Sequence, residues 1–99
     1  FRENQLGQIE NTYLLKVINK TQQPQRYALT LADSPDLRLQ APAQLQLNPG
    51  EILDVPVTVI RENQQATSST LPVQFVIQNL ANAREQAQTQ SIFLSPSGR

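Results

Sequence analysis

The sequence predicts an all-β chain folded as a sandwich of two antiparallel sheets, about seven strands in all. Three observations carry that prediction. Apolar residues recur at every second position, most clearly along residues 52–60. There Leu53, Val55, Val57 and Val59 point to one face, and Ile52, Asp54, Pro56 and Thr58 to the other. Clusters of Pro, Gly, Asn, Asp and Ser cut the chain at roughly the 8–12-residue spacing of a sandwich. No stretch keeps a 3.6-residue apolar period over the ten or so residues a helix needs. A strand with one apolar face must bury it, and a second sheet is what covers it.

Residues 1–8 show no period and read as an extended lead-in, with Asn4 and Gly7 marking a turn. Residues 10–20 form the first strand. Tyr13, Leu15 and Val17 share one face and Leu14, Lys16 and Ile18 the other, so the second face is expected to be partly covered too. Residues 19–24 are polar, end in Pro24 and read as a hairpin loop. Residues 25–31 follow, with Tyr27, Leu29 and Leu31 alternating against Ala28 and Thr30, and the two strands are expected to pair as an antiparallel hairpin. Residues 32–36 are a turn, where Pro35 pushes Ser34 toward extended backbone.

Residues 37–39 and 45–47 are short strands separated by Ala41-Pro42-Ala43, because Pro cannot donate to a ladder. Asn48-Pro49-Gly50-Glu51 matches a type II turn, with Gly where φ must be positive. Pro56 in the strand that follows predicts an edge or a bulge. Residues 61–70 are a polar loop. Residues 71–78 are a strand with Leu71, Val73, Phe75 and Ile77 on one face, and residues 79–86 a loop or one helical turn. Residues 87–94 are the last strand, with Ile92 and Leu94 apolar, and the end of the chain reads as a frayed tail. The domain spans residues 9–95, between a lead-in of 1–8 and a tail of 96–99. Its predicted core is Tyr13, Leu15, Val17, Tyr27, Leu29, Leu53, Val55, Val57, Val59, Val73, Phe75, Ile77 and Ile92. The strand number and turn spacing are those of a two-sheet sandwich.

Ninety-nine residues fit one domain with one modest core. The formal charge is zero, from eight basic and eight acidic side chains, and neither sign gathers in a block. A nucleic-acid binder shows a basic stripe and a surface drawn to anionic lipid a polybasic cluster; neither is present. There is no Cys, His, Met or Trp. That removes the soft ligands of copper and zinc, Cys nucleophiles and His bases. A cysteine-free chain fits any redox compartment. The many Gln residues, such as Gln44, Gln46, Gln86, Gln88 and Gln90, are scattered between apolar positions and read as solvent-facing, not as a prion-like tract. No apolar run reaches the roughly 20 residues of a membrane helix, and there is no signal-peptide pattern. The chain opens at Phe1 without an initiator Met. It reads as a piece of a longer protein or a processed product, with any targeting or membrane segment expected upstream.

Few residues suggest chemistry. Glu10, Glu51, Asp54 and Glu62 supply carboxylates, but acid–base work needs a cleft that shifts their pKa, so they read as solvated surface. Asp33, Ser34 and Asp36 miss the spacing of a calcium loop and fit a Pro-anchored turn. Asn19-Lys20-Thr21 fits the N-glycosylation tripeptide, a pattern common by chance, and reads as a loop Asn capping its turn. Tyr13 and Tyr27 could form a binding platform, and core packing with the hydroxyl at the rim fits so few aromatics better. The glycines are Gly7, Gly50 and Gly98, too dispersed for a phosphate loop. No catalytic, cofactor-binding or metal-binding residue is assigned.

One set of residues goes further. Phe1-Arg2 and Gly7-Gln8-Ile9-Glu10-Asn11-Thr12-Tyr13-Leu14-Leu15-Lys16-Val17-Ile18-Asn19-Lys20 resemble the start of the C-terminal domain of the FixG/CcoG family. Tyr27-Ala28-Leu29, Pro49-Gly50-Glu51 and Val55-Pro56-Val57 look like the same domain, so the resemblance covers almost the whole chain. The opening motif is its most specific part, since a Pro-Gly-Glu turn before an alternating strand is shared by many Ig-like domains. The resemblance implies a membrane-bound cytochrome c oxidase accessory protein, with two 4Fe-4S clusters in its upstream part. It implies a role in maturing cbb3-type oxidases, including copper reduction or delivery, and an association with nitrogen-fixation operons. The Ig-like domain would follow the last membrane helix, on the periplasmic side of the bacterial inner membrane. Phe1 would lie just after the membrane exit. Its expected role is non-catalytic docking or scaffolding, monomeric when isolated, with oxidase subunits or copper-delivery proteins as partners and no nucleic acid.

Two other readings compete. One is a generic Ig-like adhesion or chaperone-type module of a secreted or surface protein, in which a sheet edge accepts a partner strand; Pro42 and Pro56 would block some edges. The other is a carbohydrate-binding accessory domain, which the sparse aromatics disfavour.

Overall fold

Alternation along the chain becomes strand structure in the computed structural model, which describes residues 1–32, 36–61, 70–82 and 84–94. Among the described residues there are eight strands and no helix: β1 (Arg2–Glu3), β2 (Ile9–Ile18), β3 (Gln25–Ala32), β4 (Leu37–Gln40), β5 (Leu45–Leu47), β6 (Ile52–Arg61), β7 (Thr70–Asn79) and β8 (Gln86–Leu94). They form two antiparallel sheets, ordered β1-β2-β6-β4 and β5-β3-β7-β8. The first order is the A-B-E-D arrangement of an immunoglobulin sheet, and β3-β7-β8 is its C-F-G partner. The eighth strand comes from the lead-in, where Arg2 and Glu3 pair with Glu10 and Ile9.

The core lies between the sheets. Val55, Val57 and Val59 of β6 are buried against Val73 and Phe75 of β7, Tyr27 and Leu29 of β3, and Val17 of β2. Tyr13, Leu15, Leu53 and Ile77 are partly buried around them. Tyr13 meets the Phe75 ring edge-on, with centroids 5.2 Å apart. Leu45, Leu47, Ile9 and Ile60 also join the buried set.

Four expectations fail for physical reasons. First, β2 and β3 do not pair: they lie in different sheets, so residues 19–24 cross the sandwich instead of closing a hairpin. Their apolar faces meet across the core, an arrangement that a shared sheet would forbid. Second, the far face of β2 is uncovered, with Leu14 69% and Ile18 43% exposed. Third, β6 is an interior strand despite Pro56. β4 reaches only as far as Gln40 opposite Thr58, so at Pro56 the strand has β2 on one side and is locally an edge. Fourth, β8 presents its other face inward: Phe93 is fully buried while Ile92 is 57% exposed. Opposite Val73, Phe75 and Ile77 it places Ser91, Thr89 and Ala87, small side chains that leave room for large ones. Of the loop expected at 61–70, Arg61 ends β6 and Thr70 begins β7; residues 62–69, most of the turn at 32–36 and the tail at 95–99 lie outside the described residues.

The Asn48–Glu51 turn forms as expected. Gly50 has φ 75°, and Glu51 N donates to Asn48 O over 3.0 Å. It joins the two sheets and is bonded to the end of β2: Gly50 N donates to Asn19 O at 2.8 Å, and Asn19 N to Glu51 O at 3.1 Å.

Candidate functional site

The strands differ in length, and that opens one side of the sandwich. β1 covers only the first two residues of β2, so from Asn11 onward β2 is an edge of its sheet. β8 is an edge of the other. At one end these edges are tied together. Asn11 Nδ2 donates to Leu94 O at 2.8 Å, Leu94 N donates to Asn11 Oδ1 at 3.0 Å, and Tyr13 Oη donates to Ile92 O at 2.8 Å. Toward the other end they flank a groove.

The groove comprises two adjoining hollows of about 370 and 250 Å³ that share Lys16, Val17, Ile77 and Ala87. Tyr27, Leu29, Phe75 and Ile77 line it from the second sheet, and Leu15 and Val17 from the first. Ala87 and Thr89 share the inward side of β8 with Phe93, yet both are exposed, because β2 does not reach over them. Lys16 and Lys20 stand on the rim with Glu85.

Two buried asparagines frame the groove's open end. Asn19 is fully buried. Its Nδ2 donates to Gln23 O at 2.9 Å and Leu47 O at 3.0 Å, and its Oδ1 accepts from Thr21 N at 2.9 Å and Thr21 Oγ1 at 2.7 Å. Asn79 Nδ2 donates to Gln25 Oε1 at 3.1 Å and Glu85 Oε2 at 3.0 Å, and its Oδ1 accepts from Ala81 N at 2.9 Å. These amides satisfy main-chain groups where the ladders stop. Sequence reading found Asn19 as a turn cap and missed Asn11 and Asn79. A polar residue at a strand end carries no local mark of burial.

The carboxylates are not brought together. Glu10 is buried, not solvated: Arg2 Nη2 reaches its Oε1 at 2.6 Å, Arg2 Nε the same oxygen at 3.2 Å, and Asn4 Nδ2 its Oε2 at 3.2 Å. The Arg2 hydrogen bonds, then that of Asn4, hold its pKa below the usual carboxylate range. Asp54 lies opposite Lys16 in the β2–β6 ladder, six positions along β2 from Glu10, which is about 20 Å. Glu51 Oε1 accepts from Asn48 N at 2.8 Å and caps its own turn. Glu62, Asp33 and Ser34 lie outside the described residues. Among the described residues no group of three or more Asp or Glu could hold a metal ion. Burial raises the pKa of Tyr13, and burial with the nearby Glu85 carboxylate raises that of Tyr27. Both tyrosines pack into the core region, as the second reading of them expects.

Comparison with known proteins agrees with this architecture. Residues 1–96 match the family described as "IG-like fold at C-terminal of FixG, putative oxidoreductase". The chain is similar to a FixG-related protein from Vibrio parahaemolyticus of known crystal structure. The two are 34% identical with a TM-score of 0.80, over 90% of this chain and 81% of that one. No match was found among curated proteins.

Proposed function

The chain belongs to the family of Ig-like domains at the C-terminus of FixG, and from that premise we propose that it is a non-catalytic docking domain of a membrane-bound iron–sulfur protein. In this reading it stands on the periplasmic side of the bacterial inner membrane and supports assembly and copper maturation of a cbb3-type oxidase. Its partners are oxidase subunits or copper-delivery proteins. The reading rests on the resemblance of residues 7–20 to the FixG/CcoG family.

The observation that carries the docking role is the character of the surface. Among the described residues, what the domain offers outward is apolar area and a sheet edge, not a cluster of ionisable groups. Leu14 lies beside Pro56 and Ile18 beside Ile52 on the outer face of the first sheet, with Ile52 58% exposed. The groove between β2 and β8 is the second such area. Apolar patches that persist on a folded domain mark contact surfaces. The chain has no Cys and does not fit an iron–sulfur cluster, so the cluster ligands implied for the parent protein would lie upstream.

A chaperone-type or adhesion module of a secreted or surface protein is the second reading, favoured by the open edge of β8. A pull-down from membrane extracts with the purified domain, read by mass spectrometry, separates the two. Enrichment of oxidase subunits or copper carriers supports docking to the oxidase. Capture of neither by a demonstrably folded domain overturns it.

A further inference from the structure

The sheet edges of the described residues are not alike. β1 has two residues, both charged; β4 has four and includes Arg38; β5 has three. β8 runs nine residues without charge, Pro or Gly. Long edges are ordinarily blunted by such residues, because open N–H and C=O groups template pairing with another strand. The direction of these groups follows from the bonds at the tied end. Leu94 N and O and Ile92 O all point toward β2, where Asn11 and Tyr13 bond them. Outward-pointing residues alternate along an antiparallel edge, so Gln88 and Gln90 aim their main-chain groups the same way. No strand of the described residues pairs with them.

We propose that β8, from Gln86 to Ser91, accepts an extended strand of a partner polypeptide whose alternate apolar side chains fill the groove and whose acidic end meets Lys16 and Lys20. This deepens the docking reading and rests on it for the biological partner. Main-chain bonds to Gln88 and Gln90 supply the pairing, and every second side chain of the incoming strand enters the groove beside Ala87 and Thr89, facing Leu15 and Val17 and reaching toward Phe75 and Ile77. A second copy of this chain pairing through its own β8 would bring Ala87, Thr89 and Ser91 to that place, too small to fill the hollows. The rim carries Lys16 and Lys20 against one carboxylate, Glu85, which Asn79 holds, while Asp54 lies across the ladder from Lys16 on the outer face. The rim therefore favours an acidic partner. The tied end, with Asn11 and Tyr13 on Leu94 and Ile92, stops the added strand near Ser91.

The test titrates an eight-residue peptide of alternating valine and threonine, with two aspartates at one end, into the ¹⁵N-labelled full chain. A scrambled peptide of the same composition is the control. The amides of Gln88 and Gln90 are expected to shift and to gain protection from exchange, and the scrambled peptide to bind at least tenfold more weakly. Gln90→Pro removes an outward N–H while sparing the β7 ladder and should weaken binding at least tenfold. Ala87→Leu fills the groove and should do the same; it decides the matter if the proline variant does not fold. Shifts confined to β4, β5 or the Leu14 face, or equal binding of the scrambled peptide, overturn the proposal. A concentration-dependent dimer through β8 in sedimentation also overturns it, making a second copy the occupant. Repeating the pull-down with Ala87→Leu separates the two readings. Equal capture by variant and wild type leaves docking standing and removes the edge; peptide binding with nothing captured does the reverse.

Discussion

Replacing Asn19 tests the architecture at its most constrained point. Asn19→Ala deletes four hydrogen bonds at once, two donated and two accepted. Leu47 O is the costly loss, because that bond is buried and Leu47 is fully enclosed, so water does not replace the amide. A buried acceptor left without a partner costs about 1–3 kcal/mol, and each remaining bond, closer to solvent, roughly 0.5 kcal/mol or more. The sum is about 3 kcal/mol, which in a domain of this size lowers Tm by roughly 12–24 °C. Asn19→Asp keeps the shape and the oxygen that accepts from Thr21 but aims a carboxylate oxygen at the carbonyls of Gln23 and Leu47. Its folded-state pKa should therefore rise above that in the unfolded chain. Stability of this variant should then improve as pH falls through that raised pKa. Urea unfolding followed by circular dichroism, at pH 7 and pH 4, measures both effects. Asn82→Ala is the control, since Asn82 is exposed and its side chain accepts from Arg84 N at 3.2 Å, and it should change stability by less than about 1 kcal/mol. A loss below about 1 kcal/mol for Asn19→Ala, or no pH dependence for Asn19→Asp, would refute the assignment of Asn19 as the joint between the sheets.

Phe93→Ala should cost about 3–5 kcal/mol and Ile92→Ala less than about 1, by denaturant unfolding; the reverse order would mean that β8 shows its other face to the core. The Glu10 carboxyl, followed by NMR, should titrate below the usual range and return toward it in Arg2→Ala. Because that pKa is depressed on folding, its stabilisation is present above the unfolded value, near 4.5, and is lost as pH falls through the folded one. Tyr13 and Tyr27 should titrate above the ordinary tyrosine value of 10.0 in an alkaline absorbance scan. Their pKa values are raised on folding, so stability should decline once pH passes that value.

The strands and the Gly50 turn were legible because each depends on neighbours in sequence. Alternation assigns a residue to a face, and Pro-Gly assigns a turn. Neither names the strand that lies alongside, which is why β2 and β3 looked like a hairpin and β6 like an edge. In β8 even the face was ambiguous: Ile92 and Leu94 outnumber Phe93, and only the small residues at 87, 89 and 91, set opposite Ile77, Phe75 and Val73, reveal which side meets the core. Asn11, Asn19 and Asn79 could not be told from surface polar residues, since each is buried by a junction formed between distant segments.

The groove has the same origin. It is not encoded by a motif but by a mismatch: β1 has two residues where β2 has ten. Were β1 as long as its neighbour, its strand would extend the first sheet over Ala87 and Thr89, and the apolar floor would close. A short first strand, small residues along the inner side of β8 and an uncharged edge each weaken the isolated domain. All three fall on the same side of the sandwich. Independent defects would be expected to scatter, and the other edges are indeed short or charged. Their coincidence is the physical reason for assigning that side to a partner, and a strand is the element that remedies all three at once.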